Sequence, residues 1–148
     1  MCYVISACLI GENCKYKGDN NLHQEVKKIF DESTSIAVCP EILGGLGVPR
    51  HRTEICEGSG EEVLCGKGKV INKKGEDVTI GFVRGAQRAF EMAKEKGLTK
   101  AIVKARSPSC GFGMIYDGTF SGALKKGNGV FTQMLCEHGF VIKTEEDV

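Results

Sequence analysis

Cys8, Cys39 and Cys110 each sit in or just after a short apolar run, and the three are far apart in the chain. The segments are Ile5-Ser6-Ala7-Cys8, Val38-Cys39-Pro40-Glu41 and Ser107-Pro108-Ser109-Cys110-Gly111. Short unbroken apolar runs read as buried strands. The thiols then fall at or just beyond strand carboxyl ends, the edge at which open parallel sheets bind ligands. Three thiolates meeting there are soft donors suited to an iron–sulfur cluster or zinc, with one coordination position left over. No Cys-x-x-Cys pair reinforces this, so three unrelated core cysteines compete with the metal site on spacing alone.

The residues beside these thiols carry the next layer of chemistry. Glu41 follows Cys39 by two positions. A carboxylate beside a metal site can act as general base on water, although a salt bridge to Arg50 would use the same group. Ser107 and Ser109 flank Pro108, where hydroxyls can hydrogen-bond a substrate heteroatom or relay a proton. The same composition also makes a plain turn. Arg50, after Pro49, can hold a substrate carboxylate, phosphate or carbonyl, or be spent in a structural ion pair. Cys14 lies in the polar loop Asn13-Cys14-Lys15-Tyr16. It is either a fourth ligand, its pKa lowered by Lys15, or a loop thiol turned inward. Cys2, Cys56, Cys65 and Cys136 have no companion motif.

Other features are weaker. Gly111-Phe112-Gly113 and Gly118-Thr119-Phe120-Ser121-Gly122 could cradle an anion with backbone N–H groups, or form glycine turns. They match neither the dinucleotide fingerprint nor the phosphate-loop lysine motif. His23, His51 and His138 read as surface or helix-end residues. No Gly-x-Ser-x-Gly elbow supports a serine hydrolase.

Bulk properties bound the class. The 148 residues fit one domain, 1–148. A net charge of +1 offers no basic face for duplex nucleic acid, and only Arg50, His51 and Arg52 form a local basic cluster. No run is long enough to span a bilayer. Eight cysteines without a secretory signal point to the reducing cytoplasm, where clustered thiols mean metal or catalysis more often than disulfides.

The elements that must position these residues follow from periodicity. Strands are expected over 2–7, 35–39, 100–105 and 140–143. Leu22, Val26, Ile29 and Phe30 mark a helix over 22–31, capped by Asn21 with Gln24 completing a capping box. Phe82, Val83, Ala86, Ala89, Phe90 and Ala93 form a second helical stripe ended by Gly97. Asn128 is expected to cap a last helix that stops at Gly139. Residues 40–60 and 106–122 read as loops, and 61–78 as short exposed strands or turns with a hairpin tip at 73–77. The order predicts a small Rossmann-like three-layer α/β domain. Its sheet is mainly parallel, the first strand lies between the second and third, and a short strand or hairpin insertion interrupts it.

Taken together, the motifs have a precedent. Ser6-Ala7-Cys8-Leu9-Ile10-Gly11, Cys14-Lys15-Tyr16, Cys39-Pro40-Glu41, Gly44-Gly45-Leu46 with Pro49-Arg50, Arg106-Ser107-Pro108-Ser109-Cys110-Gly111 and Tyr116-Asp117-Gly118-Thr119-Phe120-Ser121-Gly122 stand in that order. This resembles a bacterial and archaeal family long labelled a domain of unknown function, whose characterised members are thiouracil desulfurases. The resemblance implies a [4Fe-4S] cluster on Cys8, Cys39 and Cys110, with Glu41 and Ser107 as the catalytic pair. It also implies non-redox C–S cleavage of a small thiolated nucleobase or nucleoside such as 2-thiouracil, releasing sulfide. Ser109 and Arg50 are then the candidate substrate contacts. Lys15 departs from the arginine expected at its position and lacks the planar fork. The competing reading is a non-catalytic module that senses through cysteine-ligated zinc or a cluster, with Cys14 closing the coordination shell. A third is a metal-free nucleotide-binding domain with core cysteines.

Overall fold

Val4 and Ile5 are fully enclosed and Ser6 is 2% exposed, which is why their run shows no polar alternation. In the computed structural model, which describes residues 2–148, they form β1 (Val4–Ser6). A 3-10 turn over Ala7–Ile10 follows, then α1 (Gln24–Asp31), β2 (Ile36–Val38) and the single-turn α2 (Pro40–Leu43). Next come β3 (Thr53–Glu57), α3 (Gly60–Leu64), β4 (Lys69–Asn72) and the long α4 (Thr79–Glu95). The chain ends with β5 (Lys100–Val103), β6 (Met114–Tyr116), β7 (Leu124–Lys126), α5 (Val130–Glu137) and β8 (Val141–Thr144).

The central sheet has the order β2-β1-β5-β8 with all pairs parallel, so the first strand does lie between the second and third strands of that sheet. Successive side chains point to opposite faces. Val4, Ala101 and Val103 feed one core with Phe82, Ala86 and Ala89 of α4 and Phe131 and Leu135 of α5. Tyr3, Ile5 and Ile102 feed the other, with Leu9 of the 3-10 turn and Val26 of α1. Helices therefore cover both faces, giving three layers. Two antiparallel ribbons, β3-β4 and β6-β7, stand beside the main sheet. Among the described residues no helix is long and apolar enough to cross a membrane.

Several local expectations need correction. Residues 40–60 are not merely a loop: α2 and β3 lie there, both too short for a periodic signal. Residues 61–78 contain α3, capped by a Ser59–Glu62 capping box. They also contain β4, whose Val70 is fully buried rather than exposed. The reversal near 73–77 exists, with Gly75 at φ 85° and a bridge from Ile71 to Asp77. However, β3 and β4 are joined through α3, not through that tip. The loop over 106–122 contains β6. Asn21 does not cap α1. His23 is the N-cap, and its Nδ1 accepts from the Val26 N–H at 3.4 Å. Asn128 does not cap α5 either. Gly129 holds the cap position, while the Asn128 side-chain Oδ1 accepts from Gly113 N–H at 2.8 Å.

One close approach places α2. A Cβ on Gly44 would lie 2.0 Å from the Gly81 carbonyl oxygen, and one on Gly85 would lie 1.8 Å from the Pro40 carbonyl oxygen. Only glycines let α2 sit directly on α4, and this fixes where Cys39 and Glu41 project. Gly85→Ala should therefore destabilise the fold by about 1–3 kcal/mol or more, because the added methyl meets backbone that cannot yield. The check is the midpoint of urea unfolding, which should fall; an unchanged midpoint would mean that α2 can shift at no cost.

Candidate functional site

A cavity of about 490 Å³ opens at the carboxyl ends of β1, β2 and β5. The chain leaves β1 for β2 on one side and later supplies β5 on the other, so this is the sheet's topological switch point. Cys8, Cys14, Cys39 and Cys110 all line it, together with Glu41, Arg50, Ser107 and Ser109. Every residue singled out for chemistry in the sequence thus reaches one cavity. All eight cysteines are free thiols, and Cys2, Cys56, Cys65 and Cys136 lie outside the lining. None of the three histidines borders it.

The four thiols differ sharply in environment. Cys14 is buried in its loop, and hydrogen bonds to Cys39 and then Cys8, reinforced by burial, push its thiol far up. With one hydrogen, the Cys14 thiol can serve only one of these two neighbours at a time. The same bond pulls Cys39 down against its own burial, and Cys8 is pulled down by Cys14 and then by Asn21. The Asn21 amide nitrogen stands 3.4 Å from the Cys8 sulfur, which is where the side chain expected to cap α1 has gone. Burial pushes Cys110 up to about 12, partly offset by a hydrogen bond from Ser6. Cys8 and Cys39 are thus the two lining thiols held below the ordinary thiol value, and the deprotonated form of a thiol is the one that binds metal.

A turn anchored on α5 sets Cys110. The Ser107 hydroxyl oxygen accepts from Cys110 N–H at 2.8 Å and Ser109 N–H at 3.2 Å. The first N–H groups of α5 have no partner within their own helix. Those of Val130 and Phe131 donate instead to the Pro108 and Ser109 carbonyls, both at 2.9 Å, and Thr132 Oγ1 donates to the Cys110 carbonyl at 2.7 Å. A Cβ on Gly129 would lie 2.5 Å from the Ser109 carbonyl carbon, so glycine is required for this seating.

Glu41 joins the segments. Arg50 Nε donates to its Oε1 at 3.1 Å and Ser109 Oγ donates to its Oε2 at 2.9 Å. The remaining Arg50 nitrogens donate to the carbonyls of Gly47 and Cys14, each at 2.8 Å. All three guanidinium nitrogens therefore have a partner inside the protein, so the ion pair considered from sequence is formed, while Arg50 also lines the cavity. Ser109 is 3% exposed and faces the carboxylate, whereas Ser107 is half-buried. Ser107 Oγ lies 3.2 Å from Ser109 Oγ. Ser109 has one hydrogen and gives it to Glu41, and Ser107 already accepts two N–H groups. Ser107 must therefore be the donor in this pair. The result is a directed chain, Ser107 to Ser109 to Glu41.

Several N–H groups of the glycine loops are bonded within the protein. Gly118 and Phe120 N–H groups donate to Glu54 Oε1 at 2.9 and 3.1 Å, so their anion is the protein's own carboxylate. Gly111 and Gly113 N–H groups donate to the Ser107 carbonyl and to Asn128.

A family model described as 2-thiouracil desulfurase matches residues 3–147. The chain belongs to the 2-thiouracil desulfurase family. A Bacillus subtilis (strain 168) relative, the uncharacterized protein YbbK, is 40% identical over 145 residues, covering 98% of this chain and 96% of its own. A solved structure of a [4Fe-4S]-dependent thiouracil desulfidase, TudS, is 34% identical with a TM-score of 0.86, covering 99% of this chain and 91% of that one. The family's four-stranded parallel sheet flanked by helices is thus the scaffold of this cavity.

The donor set fits a cluster. Among the described residues no three His, Cys, Asp or Glu side chains stand close enough to hold a single ion. Four thiols border the cavity, and they are soft donors of the kind that clusters take on separate irons. Ser6, Asn21, Thr53 and Lys104 also line the cavity, and none is expected there from sequence. Lys104 Nζ pairs with Glu145 Oε2 at 2.9 Å. Ser6 had a signal, because a hydroxyl at the end of a strand buried on both faces needs a partner.

Arg50 and Glu41 side chains are only 8% and 14% exposed. Arg50→Ala, which takes the donor from Glu41 Oε1 and from the Gly47 and Cys14 carbonyls and leaves the buried carboxylate without its counter-charge, should lower stability by about 3–5 kcal/mol. Arg50→Lys should recover part of this, since an ammonium cannot reproduce three planar contacts. Thermal unfolding of the metal-free chain checks both, and equal midpoints for wild type and Arg50→Ala would reject the tie.

Proposed function

We propose that this protein hydrolyses the C=S group of a small thiolated pyrimidine, 2-thiouracil or its nucleoside, to the carbonyl base and sulfide. A [4Fe-4S] cluster would be held by Cys8, Cys39 and Cys110, with Cys14 hydrogen-bonding one of the first two at a time and not ligating. The convergence of four thiols with a serine–serine–glutamate chain in one cavity carries this reading, and the family membership supports it. When bound, the cluster would supply a soft Lewis-acidic iron without a protein ligand, suited to a thiocarbonyl sulfur.

The remaining chemistry belongs to side chains. Arg50 and Ser109 hold the Glu41 carboxylate in one orientation, with lone pairs left to accept a proton from water attacking the C=S carbon. Ser107 would turn its one hydrogen away from Ser109 and give it to the ring nitrogen or leaving sulfur. That loss frees a lone pair on the Ser107 oxygen, so protonated Glu41 would return a proton through Ser109 to Ser107 with both hydrogen bonds reversed. Water adds and sulfide leaves, so no electrons are exchanged and no redox partner is needed. The free thiols are consistent with a reducing, cytoplasmic setting as part of the same reading.

Anaerobic reconstitution should load about four irons and four sulfides per chain. Cys8→Ala, Cys39→Ala and Cys110→Ala should each lose most of that iron, whereas Cys14→Ala should keep it. Loss in Cys14→Ala with retention in Cys110→Ala would reassign the ligands. A stable zinc site with no activity would favour the sensing module. Separately, Glu41→Gln should leave iron content unchanged and lower turnover of 2-thiouracil by about 10²–10⁴-fold. Full activity in that variant would remove Glu41 from its role.

A further inference from the structure

The cavity contains a wall to which the reaction assigns no task. Tyr116, the last residue of β6, lines it half-buried, and Arg52 lines it beside Tyr116. The Arg52 guanidinium carbon lies 5.8 Å from the centre of the Tyr116 ring, within the range of a cation–π contact. Arg52 is itself fixed by Glu54, whose Oε2 accepts from Arg52 Nη2 at 3.2 Å. Glu54 is 1% exposed, and its other oxygen holds Gly118 and Phe120 of the loop that follows Tyr116.

A buried carboxylate is costly unless fully bonded. Here its bonds secure both partners of the stacked pair, one through a side chain and one through the backbone. Two further contacts stiffen the wall. Gly118 adopts φ 94°, and a Cβ there would lie 2.6 Å from the Cys56 Cα, so the loop presses directly onto β3. Tyr116 N–H donates to the Arg106 carbonyl at 3.3 Å, beside the Ser107 turn.

A thiolated pyrimidine offers two kinds of recognition, its polar edge and its π-face. The serine–glutamate chain deals with the edge and the reacting carbon. A face needs an aromatic or guanidinium plane held rigid before binding. Resting on the reading above, we propose that Tyr116, backed by Arg52 and fixed through Glu54, is the surface on which the pyrimidine ring stacks. Tyr116 is then a specificity residue that favours planar heterocyclic substrates, and Arg52 and Glu54 are positioning residues.

The test compares Tyr116→Ala, Tyr116→Leu and Tyr116→Phe with wild type in cluster-loaded protein. Tyr16→Ala serves as a control because Tyr16 is another aromatic residue on the cavity lining. The readouts are iron content, thermal midpoint, kcat and KM for 2-thiouracil, and Kd for uracil by equilibrium dialysis. Loss of one stacked face should raise KM and Kd about tenfold in the Ala and Leu variants, with kcat within about twofold and Tyr116→Phe near wild type. The Leu variant fills the space and carries the test if Ala does not fold.

The proposal is overturned by unchanged KM and Kd, by a fall in kcat alone, or by Tyr116→Phe losing as much as Ala. It is also overturned if the shift appears in Tyr16→Ala and not at Tyr116. If wild type binds uracil with the expected Tyr116 dependence but does not desulfurate 2-thiouracil, the functional reading fails and the stacking surface stands. Failure of wild type to bind uracil at all removes the stacking surface.

Discussion

The Glu41 carboxylate, gripped by Arg50 on one oxygen and Ser109 on the other, is the contact on which the cavity depends. It ties together three segments remote in sequence: α2 with Cys39, the Cys14 loop through the Arg50 contact to its carbonyl, and the Ser107–Cys110 turn. Each segment carries a thiol. The same carboxylate that can take a proton from water therefore also sets the spacing of the sulfurs. In a site largely shielded from water these charge-assisted bonds are strong when satisfied and costly when broken. The arrangement holds as a unit or fails as one.

Two backbone devices make that grip possible. Glycines at 44, 81 and 85 bring α2 onto α4 at main-chain distance, so Glu41 projects from a short helix that cannot slide. The first turn of α5 donates its unpaired N–H groups to the turn that carries Ser109 and Cys110, and Gly129 leaves room for the contact. A helix start that would otherwise need a side-chain cap is capped by the functional turn. Stability of α5 and geometry of the site are consequently one property.

The opposite wall follows the same economy with a different anion. Glu54 satisfies the N–H groups of the Gly118–Gly122 loop and orients Arg52 against Tyr116. A loop whose sequence resembles an anion cradle is in fact closed on an internal carboxylate. Its rigidity comes from that closure, and both Tyr116 and Arg52 line the cavity.

The sequence determined the parts that depend on local pattern. Unbroken apolar runs marked the central strands because both of their faces are buried, and the α4 stripe marked a helix because one face packs on the sheet. The thiols at strand ends, Glu41 beside Cys39 and the serines before Cys110 were legible as residues able to do chemistry. α2, α3 and β3 were not, because four or five residues are too few to show a period. In β3 the buried Thr53 and Glu54 are polar, so the segment read as loop. Asn21 and Asn128 looked like caps by type, but each was claimed by a distant partner, a sulfur and a backbone N–H. Only the tertiary structure decided that Arg50 pairs with Glu41, where Cys14 pointed, and which serine held the carboxylate. Hydrogen-bond direction and burial belong to contacts between segments dozens of residues apart, and no local spacing encodes them.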